Sequence, residues 1–211
     1  MEVEAGLLEG LWSQETNREV ATNGLVLKLQ GEQCAANARA RAPRIAPLCG
    51  DIQRRKSRDA AAGSFTIDLA VRFDDLAPGQ VLLDSRDGAG RGYVLRTSEG
   101  GAVRFEMSDG WQGAYWDCDA GLLKSNTLHH IVVVVDGRAK VICFVVDGAL
   151  NDGGAQRQFG FGRFNPTLKD VSGGRELRVA PALHGELRHV RLYNRALRTS
   201  EAVGNFRASG R

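Results

Sequence analysis

The 211 residues are 43% hydrophobic and 25% charged, with a formal net charge of +3. Such proportions are ordinary for a soluble globular protein and exclude a disordered tract. So small a charge gives no electrostatic footprint for nucleic acid, and no apolar run approaches the roughly 20 residues of a membrane-spanning helix. A chain this long buries roughly 70% of its unfolded surface and needs neither metal nor disulfide merely to fold. Glycine is enriched, 26 residues against five prolines, which predicts many tight turns.

The N-terminal "MEVEAGLLEGLWS" is acidic and lacks the long apolar core of a signal peptide. Residues 34–62 are the least regular stretch. They predict a long basic loop carrying Arg39, Arg41, Arg44, Arg54, Arg55, Lys56 and Arg58, with a short strand around Ile45–Leu48. No aromatic interleaves those cations, so bases would find nothing to stack on, and a solvated loop is expected. "SFTIDLAVRF" at 64–73 puts Phe65, Ile67, Leu69, Val71 and Phe73 on one face and Thr66, Asp68, Ala70 and Arg72 on the other. That period of two predicts an antiparallel strand with one buried and one wet face. "DDLAPG" turns into "GQVLLDS", and "RGYVLRTS" and "AVRFEMSD" flank "EGG" as a hairpin. "HHIVVVVDG" and "KVICFVVDG" make a further pair, each closed by Asp-Gly, and "RELRVA" and "GELRHVRLYNR" are the last strands. Only "TSEAVGNF" at 199–206 predicts a helix, with Thr199 or Ser200 as cap and Glu201 in its positive first turn. No repeat and no linker is visible. The pattern predicts one all-β domain over residues 1–211, a two-sheet antiparallel sandwich or a barrel with one short C-terminal helix at most.

Cys34, Cys49, Cys118 and Cys143 lack the CxxC spacing of a zinc site and allow three pairings. A Cys34–Cys49 bridge closing about fifteen residues would add roughly 3 kcal/mol. Cys143, in "KVICFVVDG", reads equally as a small buried hydrophobe. His129 and His130 are neighbours on one strand, so they face opposite ways and cannot chelate one ion together.

Several segments together resemble laminin-G-like, concanavalin A-like jelly-roll domains. "AGLLEGLW" is similar to their first strand, "GSFTIDLAVRF" to the strand that follows, and "LHHIVVVVDGRAKVICFVVDGAL" to their central hairpin. "HGELRHVRLYNRALRTSEAVGNF" is similar to the closing segment and is the most specific of the four. Leu128 stands where the family often has tryptophan, and residues 31–62 are longer and more basic than its usual spacer. The resemblance implies a jelly roll of two antiparallel sheets, one concave and one convex. It implies an extracellular or cell-surface setting, often as a module of glycan-active or adhesion proteins. It also implies a glycan (oligo- or polysaccharide) partner for many members, sometimes beside calcium, a spacer role for others, and hydrolase or lyase chemistry for some.

The chemistry concentrates in "SDGWQGAYWDCDAG" at 108–121. Sugar rings present apolar faces and polar rims, which suits flat aromatics mixed with carboxylates and amides. Asp109, Trp111, Gln112, Tyr115, Trp116, Asp117 and Asp119 supply that mixture, with Arg104 and Glu106 on the preceding strand. The competing expectation is that Trp111 or Trp116 plugs the end of the core. Catalysis needs two carboxylates held about 5 Å or 6.5–9.5 Å apart. Strand 103–108 offers only Glu106 on its polar face, which leaves Asp117 and Asp119 as a weak pair. Aspartate-rich turns suit calcium, and Asp84, Asp87 and Asp170 are the candidates besides Asp117 and Asp119. These features predict a non-catalytic carbohydrate-binding module. The alternatives are a glycoside hydrolase or lyase on the same fold, and an adhesion or spacer module without a sugar ligand.

Overall fold

A computed structural model describes residues 21–48 and 63–210. Strands β1 (Leu25–Gln30), β13 (Gly185–Tyr193), β3 (Phe65–Phe73), β8 (Leu128–Asp136), β9 (Val141–Val146) and β10 (Ala149–Leu150) lie side by side in that order, with β11 (Phe161–Arg163) also on β9. The second sheet runs β2 (Ala38–Arg41), β12 (Glu176–Ala182), β4 (Val81–Asp84), β5 (Gly92–Ser98), β6 (Ala102–Ser108) and β7 (Gly113–Asp117). Every pairing among the described residues is antiparallel. The two sheets pack face to face as the jelly-roll sandwich that the alternation implies. No helix among the described residues is long and apolar enough to cross a membrane.

The core is built from the inward sets. Phe65, Ile67, Leu69, Val71 and Phe73 of β3 meet Tyr93, Leu95, Val103, Phe105 and Met107 of the opposite sheet. Phe65, Tyr93 and Phe105 form an aromatic triangle with ring centroids 5.6, 5.9 and 6.2 Å apart. The face of β3 expected to be wet is not. Thr66, Asp68 and Ala70 are buried, because helix α1 (Thr199–Ala208) lies over them. Ala202 packs with Val132, Val134 and Val145, and Asn205 Nδ2 donates to Asp68 Oδ2 at 2.6 Å. Alternation reports which face is apolar; it does not report what covers the polar one. The helix cap is Arg198, not Thr199 or Ser200. Glu201 Oε2 accepts the Arg198 N–H at 2.8 Å, and the same carboxylate holds Arg195 at 2.7 and 2.8 Å.

Residues 34–48, the described part of the expected 34–62 loop, depart from it. β2 adds to the sheet beside β12 with Ala38 and Ala40 inward and Arg39 and Arg41 outward. No strand forms at Ile45–Leu48, although both side chains are buried. Arg54, Arg55, Lys56, Arg58, Cys49 and "AGLLEGLW" lie outside the described residues. The expected Cys34–Cys49 pairing involves a residue outside the described set; among the described residues Cys34, Cys118 and Cys143 are free thiols. Burial raises the Cys34 and Cys118 thiols to about 11, which leaves them unreactive near neutrality.

Candidate functional site

β6 sends Val103, Phe105 and Met107 inward and Arg104, Glu106 and Ser108 outward, as its alternation predicts. The aromatic cluster is not one loop. It is a short turn over 109–112 followed by β7. The register sets Phe105 opposite Trp116, Glu106 opposite Tyr115 and Arg104 opposite Asp117. Successive strand residues point to opposite faces, so the cluster divides.

Its inward half is structural. The Trp116 indole lies on Gly162, where a Cβ would approach it to 2.7 Å, and Arg157 stacks on the ring at 4.3 Å. Asp119 is buried and accepts the N–H groups of Asp152 and Gly153 at 3.2 and 3.1 Å, and Arg157 Nη2 at 2.5 Å. Trp116, half-buried, and Asp119, buried, therefore fasten the 151–163 segment to the sheet edge, on the side of β7 away from Tyr115. They also dissolve the Asp117–Asp119 pair. Asp117 is held by Arg104 outside at 2.7 Å, and Asp119 by Arg157 inside at 2.5 Å.

Its outward half joins β5 and β6. Gly92, Ser108 and Gly113 lie in one row across three strands, and Val94, Glu106 and Tyr115 in the next. The two glycines leave the first row low. A Cβ at Gly113 would come within 2.9 Å of the Met107 carbonyl, so glycine is required there. The result is a groove of about 220 Å³, bordered by Arg86, Val94, Glu106, Ser108 and Tyr115. Arg96 Nε and Nη2 donate to Glu106 Oε1 at 2.8 and 2.5 Å. Arg104 Nε and Nη2 grip Asp117 at 2.7 and 3.0 Å, which pushes the guanidinium's pKa up. The Arg104 guanidinium also covers one face of Tyr115 at 4.4 Å, while the tyrosine stays 61% exposed. Asp109, Gln112 and Trp111 form the turn at the end of this groove. Asp109 Oδ1 accepts the N–H groups of Trp111 and Gln112, both at 3.1 Å. Burial works against its ionisation, but those N–H groups and the Gln112 amide outweigh it and hold the carboxyl below its ordinary range. Gln112 Nε2 ties the turn to Thr167 Oγ1 at 2.9 Å. On that braced turn Trp111 is 99% exposed.

The aspartates expected at a cation site are otherwise engaged. Asp84 accepts Arg86 and Arg178, each at 2.7 Å. Asp87 accepts Ala89 N–H and Arg91 N–H at 3.0 Å and pairs with Arg91, whose far nitrogen lies 3.9 Å from Asp170. Among the described residues, the metal-ligating side chains that do converge are Asp68, His130 and His189, with donor atoms within 4.8 Å of one another. Both imidazole Nε2 atoms contact Asp68 Oδ1, at 3.2 and 3.1 Å, and Arg191 Nη1 lies 3.4 Å from the same oxygen. The Arg191 cation already balances the carboxylate, so a divalent ion would leave a buried excess of positive charge. The cluster is best described as a hydrogen-bonded anchor for α1. His129, on the opposite face of β8, pairs with Asp147 at 2.6 Å. Both histidines are structural.

Arg86, which lines the groove, and Arg178, which shares Asp84 with it, are not flagged by the sequence pattern. Arg86 stands in "DSRDGAG", a segment whose aspartates attract attention first, and Arg178 reaches Asp84 only through the β12–β4 pairing. A larger cavity, about 400 Å³ between Cys34 and the β12–β13 connection, has no aromatic in its lining.

Comparison with solved structures returns the same fold at low identity. The CBM40 domain of Ruminococcus gnavus IT-sialidase, solved bound to α2,3-sialyllactose, is 16% identical with a TM-score of 0.53, over 80% of this chain and 97% of that one. The binding domain of botulinum neurotoxin DC, solved in complex with SialylT, is 11% identical with a TM-score of 0.59, over 91% of this chain and 52% of that one. The binding domain of botulinum neurotoxin serotype G is 10% identical with a TM-score of 0.56, over 68% of this chain, which spans 36% of that one. No curated protein matches the chain in sequence. Residues 51–202 match the Laminin_G_3 family, and with most of its length inside that match the chain belongs to the concanavalin A-like lectin/glucanase superfamily.

Proposed function

We propose that this chain is a non-catalytic glycan-binding module whose ligand lies in the groove on the outer face of the six-stranded sheet. The observation that carries this reading is Trp111, a tryptophan 99% exposed on a turn braced by Asp109 and Gln112. It packs on nothing that folding requires, and its indole presents a flat apolar face of the kind on which a sugar ring can stack. Tyr115 offers a second exposed ring, and Arg104, Glu106 and Asp117 supply the polar rim that sugar hydroxyls need. The sialyllactose bound to the R. gnavus CBM40 domain supports a glycan on this fold. Glu106 and Asp117 are each clamped by a guanidinium, which favours binding over acid–base or nucleophilic work. The family resemblance supports an extracellular or cell-surface setting.

A glycan array probed with the folded chain and with Tyr115→Ala tests the proposal. The parent is expected to retain at least one glycan class, and the variant to lose it by about tenfold or more. Absence of retention by the parent on every glycan, or release of reducing ends from a bound polysaccharide, would overturn it.

A further inference from the structure

We infer that the glycan taken by this groove is acidic, and that its carboxylate docks on Arg86 beside Asp84. The inference rests on the glycan-binding reading above and specifies its ligand class. Asp84 is the key to the charge balance. Its side chain is only 5% exposed, yet it accepts two guanidiniums, Arg86 and Arg178, each at 2.7 Å. One carboxylate thus serves two cations. The remaining charges facing Arg86 from β5, β6 and β7 are matched one to one: Arg96 with Glu106, and Arg104 with Asp117. Among Arg86, Arg178, Arg96 and Arg104, four guanidiniums therefore meet three carboxylates, while beside them Arg91 is shared by Asp87 and Asp170. Arg39 on β2, in register with Arg178, is itself met by Glu176 at 3.2 Å and leaves that excess unchanged.

The excess is placed where a ligand can use it. Arg86 spends Nε and Nη2 on Asp84, at 3.0 and 2.7 Å, so its orientation is set before any ligand arrives. A guanidinium has five N–H donors in a planar fork, and the donors not turned toward Asp84 remain on a side chain 42% exposed that lines the groove. Arg178 is 46% exposed. A carboxylate recognised by a preoriented guanidinium gains charge-assisted hydrogen bonds without the cost of ordering the side chain. The glycine row Gly92–Ser108–Gly113 gives the sugar ring room beside it. Sialic acids and hexuronic acids share this chemistry, a carboxylate attached directly to the pyranose ring.

Isothermal titration with 3′-sialyllactose, an oligogalacturonate, and the neutral lactose and cellotetraose separates the possibilities. At least one acidic probe is expected to bind about tenfold more tightly than either neutral one, with the two acidic arms telling sialic from hexuronic acid. Arg86→Gln should bring that ratio close to one. Asp84 keeps Arg178 in this variant, so no buried carboxylate is left alone and the fold is retained. Tyr115→Ala should weaken all bound probes together. A parent that binds neutral probes as tightly as acidic ones, or an Arg86→Gln variant with an unchanged ratio, overturns the acidic-ligand inference and leaves glycan binding standing. A parent that binds none of the four overturns the acidic-ligand inference, and the glycan array then decides the glycan-binding reading separately.

Discussion

Trp116→Ala is expected to lower folding stability by about 3 kcal/mol, whereas Trp111→Ala changes it by less than about 0.5 kcal/mol. The two tryptophans stand five positions apart in one segment and have opposite roles. Trp116 fills the space between Gly162, Phe105 and the stacked Arg157, so truncation opens a void at the sheet edge. Trp111 has no such neighbours and its removal exposes nothing. Urea unfolding of both variants reads the difference directly. In glycan binding the order reverses: Trp111→Ala should lose about tenfold or more in affinity with its midpoint of unfolding unmoved. Equal destabilisation by the two substitutions would contradict the assignment of inward and outward faces on β7.

Asp68→Ala should cost about 3–5 kcal/mol, the expected price of leaving a buried cation without its counter-charge. Asp68 collects His130, His189, Arg191 and Asn205 on two oxygens, and Asn205 belongs to α1. Its loss strands Arg191 beneath that helix, so the C-terminal segment should lose hydrogen-exchange protection before the sandwich does. The same cluster predicts a pH dependence. Burial lowers the His189 pKa below its usual 6.5, against the pull of Asp68. As pH falls, the unfolded chain takes up that proton first. The contribution is therefore fully present above about pH 6.5 and declines below it, until the folded-state value is passed. His189→Gln should flatten this slope in a stability-against-pH profile between pH 7 and 5. An unchanged slope would remove His189 as its source.

The inner sets of β3 and β6 were legible as alternation, β8 and β9 as apolar runs, and the Asp136–Gly137 and Asp147–Gly148 turns as dipeptides. The C-terminal helix was legible from Glu201 near its start. Three features were not. Gly113 hid the start of β7, so strand residues read as loop and the opposite facing of Tyr115 and Trp116 went unseen. The cover over Asp68 comes from residues more than a hundred positions later, and no local pattern reports it. The arginine–aspartate pairings depend on cross-strand register. Asp84 looked like a cation ligand until β12 brought Arg178 beside it. Of the expected contacts, Arg104, Glu106, Tyr115 and Asp117 share one outer face and Asp109, Trp111 and Gln112 form its end, while Trp116 and Asp119 belong to the interior.

Backbone amide shift mapping of the labelled chain during titration with 3′-sialyllactose tests the location of the site most directly. The largest shifts are expected at Arg86, Glu106, Ser108, Trp111 and Tyr115, with the Trp111 indole N–H moving as well. Shifts centred on the seven-stranded sheet or on the cavity beside Cys34, with these residues unmoved, would contradict that location.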